Sequence, residues 1–168
     1  VGLTLSPTTG MITVDADTPS GTYVIEYEIC ENGANPTNCD TATATVVVLN
    51  PIDAVVDDFS ATPIAEGESS PDVTDNDTLN GDPVVIGTGV GEVTMTVDPN
   101  STNPVGLTLS PTTGMITVDT DTPSGTYVLE YQICENGANP VNCDTTTATV
   151  VVLNPIDAIV DDFSLTPV

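Results

Sequence analysis

The only side chains here with obvious chemistry are four cysteines and a concentration of carboxylates, because the 168 residues include no Lys, Arg or His. Cys30 and Cys39 bracket the loop ENGANPTN, and Cys134 and Cys143 bracket ENGANPVN. That spacing suits a local disulfide; free thiols or a metal site are the alternatives, although zinc sites commonly use closer Cys pairs and His. Acidic residues gather at a turn: Asp75, Asn76, Asp77, Asn80 and Asp82 crowd TDNDTLNGD, and Asp57 and Asp58 lie upstream. Hard oxygen donors suit Ca2+, so Asp57, Asp58, Asp75, Asp77 and Asp82 are candidate calcium ligands. With no internal cation, clustered acids must be separated, protonated or neutralised by a metal. The plainer alternative is a solvated loop of Asx turns, since DNDTLNG has turn composition and lacks the complete EF-hand pattern.

The remaining chemistry is quickly narrowed. A formal charge of −25 with no cationic side chain excludes the phosphate contacts on which nucleic-acid and anionic-lipid binding depend. Without His, Lys or Arg there is no ordinary general base near neutral pH, Schiff-base amine or guanidinium clamp. Paired carboxylates can hydrolyse glycosides, but a chain with no Trp and 4% aromatics has little to build a sugar platform. The expectation is a protein that is not an enzyme. Asp15 and Asp17, with their equivalents Asp119 and Asp121, precede TPSG turns and read as caps rather than ligands. The alternating rows Thr41, Thr43, Thr45 and Thr145, Thr147, Thr149 read as an exposed strand face, with ice or another ordered surface as the remote alternative.

These groups must be positioned by β structure. Hydrophobic residues are 39% and mean hydropathy is +0.13, too apolar for a chain disordered by its charge. No apolar run reaches the roughly 18 to 20 residues of a membrane helix, so no membrane insertion is expected. The opening VGLTLSPTTG has neither an initiator Met nor a signal peptide and reads as part of a longer chain. Residues 1–64 recur at an offset of 104 as residues 105–168, with differences at 8 of the 64 pairs, mostly apolar or small exchanges such as Ile25/Leu129 and Val55/Ile159. A period near 104 is a whole domain rather than a solenoid coil. The Pro break at LNPID sets expected boundaries: 1–53 the C-terminal part of one repeat, 54–157 a complete repeat, 158–168 the first strand of the next.

Within 54–157 the expected strands are 54–60, 71–74, 83–89, 92–97, 105–110, 115–119, 126–134 and 144–154, with no amphipathic helix. This many short strands in about a hundred residues suits an all-β immunoglobulin-like sandwich. Period two puts Tyr127, Leu129, Tyr131 and Ile133 on the core face. If Cys134 opposes Cys143, then Leu129 faces Ala148 and Tyr131 faces Thr146, large against small. One register therefore serves both the core and the disulfides, which imply an oxidising compartment.

The run PSGTYVLEYQICENGANPVNCDTTTATVVV, with upstream VDDFS and DVTDNDTLNG, resembles tandem repeats of large secreted surface adhesins of Bacteroidetes, including flavobacterial gliding adhesins with bacterial cadherin-like or immunoglobulin-like repeats. The resemblance implies tandem domains strung like beads, export by type IX secretion to the cell surface, on the outer-membrane exterior, and a role in attachment or gliding. The expected function is a structural repeat of a long extracellular filament, an acidic stalk whose partners are neighbouring repeats and possibly other copies of the filament. The alternatives are a fibre subunit completed by strands of neighbouring chains, or a repeat that itself binds glycan or ice.

Overall fold

The structure is a computed structural model and describes residues 2–160. Its spine is a long hairpin, β13 (Gly125–Glu135) against β14 (Cys143–Val152). The register is the one the sequence requires: Leu129 faces Ala148, Tyr131 faces Thr146 and Cys134 faces Cys143. Val128 and Glu130, on the outer face, are exposed, whereas Leu129, Tyr131 and Ile133 are buried. β10 (Val93–Val97) lies antiparallel to β13, and β6 (Asp57–Asp58) runs parallel to β14, completing a four-stranded sheet. A second sheet holds β11 (Leu107–Leu109), β12 (Met115–Val118) and β7 (Ser69–Asp72). Leu107, Leu109, Ile116 and Val118 of this sheet join Val93, Met95, Leu129, Tyr131, Ile133, Ala148 and Val150 of the other in one core. Two sheets sharing one core is the sandwich architecture, and the described residues contain no helix.

A small sheet carries the chain into this sandwich: β5 (Ile52–Asp53), β8 (Thr78–Leu79) and β9 (Asp82–Pro83). Asn80 and Gly81 join β8 to β9 with φ of 56° and 85°. Positive φ at both central residues is the demand of a tight hairpin turn whose twist matches its strands, and Asn-Gly meets it.

Two expected strands are interrupted. The expected strand 54–60 breaks between β5 and β6, because carboxylates take the amides a ladder would use: Ala54 N–H donates to Asp144 Oδ2 (2.9 Å) and Val55 N–H to Asp77 Oδ1 (2.7 Å). The expected strand 83–89 is mostly loop. Pro83 has no N–H, Glu92 captures the Gly89 N–H at 2.6 Å, and only an isolated bridge from Ile86 to Val93 remains.

The first copy repeats the two hairpins with the same registers: β1 (Leu3–Leu5) with β2 (Ile12–Val14), and β3 (Gly21–Cys30) with β4 (Cys39–Val48). Its surroundings differ. Ile133 is fully buried, but the identical Ile29 is 66% exposed; Val118 is 1% exposed and Val14 45%. In the second copy β6, β7 and β10 complete the two sheets, and no described residues do so in the first. Pairing is thus encoded within each hairpin, whereas burial depends on distant chain.

Candidate functional site

Both cysteine pairs are disulfides, Cys30–Cys39 and Cys134–Cys143, each with a Cα–Cα distance of 4.1 Å and each joining directly opposed residues of a hairpin. Among the described residues no cysteine is free, so neither pair offers thiolates to a metal. Structures closed this way belong to oxidising compartments.

The fold brings together two of the five candidate calcium ligands. Asp57 enters on β6, and because successive strand residues point to opposite faces, Asp57 is buried while Asp58 faces solvent. Asp77 sits on the loop before β8 and is 1% exposed. Both reach the hydroxyl of Tyr131, which points inward from β13: Asp57 Oδ2 lies at 3.0 Å, Asp77 Oδ2 at 3.1 Å and the Val73 carbonyl at 2.8 Å. A phenol donates a single proton, so three oxygens compete for one hydrogen. The acceptors outnumber what this hydroxyl can serve, and the Val55 N–H on Asp77 and Asn76 on Asp57 supply the other donors.

Burial raises Asp57 to about 6, aided by the nearby Asp77 charge and opposed by hydrogen bonds from Tyr131 and Asn76. Burial likewise raises Asp77 to about 6, against hydrogen bonds from the Val55 N–H and Tyr131 and with the charges of Asp53 and Asp72 adding to it. Burial and the two carboxylates hold the Tyr131 hydroxyl protonated. All donors are oxygens, the chemistry Ca2+ takes. Among the described residues, however, no three carboxylates come within 4.8 Å of one another.

The other candidates lie apart. Asp58 is exposed and lowered by hydrogen bonds from the Ser60 hydroxyl and N–H; Asp75 is exposed, and Asp82 is exposed on β9, lining a cleft with Asp15, Asp17 and Glu135. The expected capping of the TPSG turns by these carboxylates is not what the fold uses: Asp119 accepts from Thr108 Oγ1 at 2.9 Å and Asp15 from Thr4 Oγ1 at 3.2 Å, while each turn is closed by a hydroxyl, Thr122 Oγ1 on the Asp119 carbonyl and Thr18 Oγ1 on the Asp15 carbonyl, both at 2.7 Å. Sequence reading placed Tyr131 in the core but missed its polar tip as the centre of the cluster; an inward Tyr whose hydroxyl needs a partner was the available signal.

Sequence reading missed a second polar site altogether, where the copies meet. Glu135, at the end of β13, is 5% exposed. Its Oε1 accepts from the Ser20 N–H (3.0 Å) and Asn50 Nδ2 (2.7 Å), and its Oε2 from Asn142 Nδ2 (2.7 Å). Asn142 also donates to the Asn50 carbonyl at 2.9 Å, Asn50 N–H donates to Ser20 Oγ at 2.8 Å, and Asn139 N–H to the Ser20 carbonyl at 2.8 Å. Burial pushes the Glu135 carboxyl up, but hydrogen bonds from Asn142, Asn50 and Ser20 outweigh it and leave the group below its usual range. An anion is thereby buried without any cation, satisfied by amide donors and the Ser20 hydroxyl.

No protein-family model and no curated protein matches the chain. Among solved structures, the chain is similar to the protocadherin GammaB4 extracellular domain at 12% identity and a TM-score of 0.39, over 90% of this chain and 26% of that one. It is also similar to human protocadherin-24 EC1-2, at 12% identity and a TM-score of 0.37, over 92% of this chain and 78% of that one. The chain thus spans about a quarter of the first of these.

Proposed function

We propose that this chain is a structural repeat of a long extracellular surface filament, an acidic stalk for attachment or gliding on the exterior of a bacterial outer membrane. The observation that carries the reading is the joint at Glu135: two nearly identical copies are fastened end to end by buried hydrogen bonds rather than strung on a loose tether. Disulfides at the hairpin ends suit an oxidising exterior. The lack of Lys and Arg leaves trypsin-like proteases no cleavage site. Like charge on successive repeats opposes collapse, over about 10 Å at 0.1 M salt. Small-angle scattering of the chain tests the stalk. The expectation, extrapolated to infinite dilution, is an extended particle whose maximum dimension is unchanged between low and high salt; a dimension that shrinks on adding salt would mean a flexible, charge-inflated linker and would remove the reading.

Calcium is the second reading, favoured by the competition of three oxygens for the Tyr131 proton. Asp57 and Asp77 would hold the ion, replacing missing hydrogens with a divalent charge. Thermal unfolding in EDTA and then in millimolar Ca2+ tests it. A rise in midpoint that disappears in Asp77→Asn supports calcium; no rise at any concentration refutes it.

A further inference from the structure

The first and last strands of the sandwich, β6 and β14, are neighbours that run the same way. Asp57 lies beside Ala148 and Asp58 beside Thr149, and an isolated bridge pairs Ile64 in parallel with Val152. Backbone bonds follow in step: Phe59 N–H donates to the Thr149 carbonyl at 2.9 Å, Ile64 N–H to the Val151 carbonyl at 3.0 Å and Leu153 N–H to the Ile64 carbonyl at 3.0 Å. A side chain closes each end. Ala54 N–H donates to Asp144 Oδ2 at 2.9 Å where the chain enters, and Glu66 N–H donates to Asn154 Oδ1 at 3.2 Å where it leaves. Residues 54–66 thus track 144–154 in parallel.

That order decides how the sandwich meets a pull along the chain. The chain enters at Ala54, beside the start of β14, and leaves beyond the end of β14. Tension carried through these two points draws β6 and β14 lengthwise past one another, so every bond between them is strained at once. The β13–β14 hairpin is the opposite case. Gly125 and Val152 are opposed at its open end, and a pull on that end parts the ladder one pair at a time. Survival under load is set by the rate of crossing the unfolding barrier, and bonds that must break together raise that barrier more than bonds that break in turn.

We infer that β6 and β14 form a shear clamp that keeps the sandwich folded under tension along the chain, and that Asp144 latches its entry end. Ala54 is the first residue of the clamp to take the load, and the Asp144 carboxylate holds its N–H across a separation of 90 residues. The fold makes the latch, not the local sequence: the identical Asp40 of the first copy accepts instead from the Thr41 N–H beside it, at 3.0 Å. Asn154 holds the exit end through Glu66 while its Nδ2 is tied to the Thr122 carbonyl at 2.8 Å, so that acceptor is fixed in place. The inference rests on strand order and not on where the protein resides. It can fail while the stalk reading, tested by scattering without load, stands.

Force spectroscopy of the whole chain in EDTA at pH 7 is the test, with handles either at the two chain ends or on Ser124 and Leu153 at the open end of the hairpin. Unfolding of 54–153 is recognised by its length: it frees about a hundred residues less the loop that Cys134–Cys143 holds closed, roughly 300 Å of contour. The expected result is that this event needs a clearly higher force from the chain ends than the hairpin needs from its open end. Asp144→Ala shortens the lifetime at a given force at least about tenfold in the end-to-end pull, since hydrogen bonds to a charged group are the stronger kind. Asp144→Asn keeps an acceptor oxygen and recovers most of that lifetime, and Asp40→Ala leaves the event unchanged. Equal forces in the two directions overturn the clamp and assign the resistance to core packing. A lifetime untouched by Asp144→Ala, or shortened equally in both directions, overturns the latch.

Discussion

Acidification should stabilise this domain, because two of its carboxyls are raised by the fold. Asp57 and Asp77 go from 3.8 to about 6, chiefly through burial. The groups facing them are Tyr131 from β13, Asp72 from β7, Asp53 from β5, and Asn76. A carboxyl whose folded pKa exceeds its unfolded one takes up its proton earlier in the folded state. Stability therefore rises as pH falls through about 6 and levels off below about 3.8. Between pH 7 and pH 5 each group gains nearly one proton on folding, about 1.3 kcal/mol at ~1.36 kcal/mol per proton per pH unit. Protonating one member removes the charge that raises the other, so the pair together contributes between about 1.3 and 2.6 kcal/mol. For a cooperative unit of about a hundred residues this is an increase of about 5 to 10 °C in Tm. The assay is calorimetry in EDTA at constant ionic strength, with Asp57→Asn plus Asp77→Asn as control. A wild-type midpoint that is flat or falls from pH 7 to pH 5, or a double variant that keeps the full slope, would refute the assignment of strain to this pair.

Tyr131→Phe removes the hydroxyl the two carboxylates share and leaves Asp77 only the Val55 N–H and Asp57 only Asn76; denaturant unfolding at pH 7 should show a loss of about 1 to 3 kcal/mol, larger than at pH 5. Ile133→Ala should cost about 2 to 5 kcal/mol, whereas Ile29→Ala, the same residue in the same register but 66% exposed, should cost about 0.5 kcal/mol or less in the same melt. Replacing Cys134 and Cys143 together by Ser should lower stability by about 2 to 3 kcal/mol, the chain-entropy figure for so short a loop. Glu135→Ala should speed hydrogen exchange of the Ser20 amide, which donates to that carboxylate, while the β13 amides keep their protection.

Much of the fold is legible in the sequence because much of it is local. Each cysteine pair spans a separation of 9, and alternation along TYVLEYQIC admits one register that buries Leu129, Tyr131 and Ile133 and opposes the sulfurs. The same hairpins form in both copies although only one is covered, so sequence alone determines them. The breaks at 54–56 and 83–89 were not legible, because they arise where side chains from elsewhere in the chain, Asp144, Asp77 and Glu92, take the strand amides.

The candidate site divides along the same line. Sequence alone determined that any acids brought together would meet without a cationic side chain, and that Tyr131 faces inward. Tertiary structure decided which acids meet: Tyr131 is 74 residues from Asp57 and 54 from Asp77, and packing of β6 and the 73–77 loop over β13 chose that pair from five candidates. It alone decided that Glu135 is a fastening, since Ser20 lies 115 residues away and the identical Glu31 is exposed. Backbone pairing is fixed by periodicity within a few residues, whereas the desolvation that gives a carboxylate its chemistry depends on which distant chain covers it.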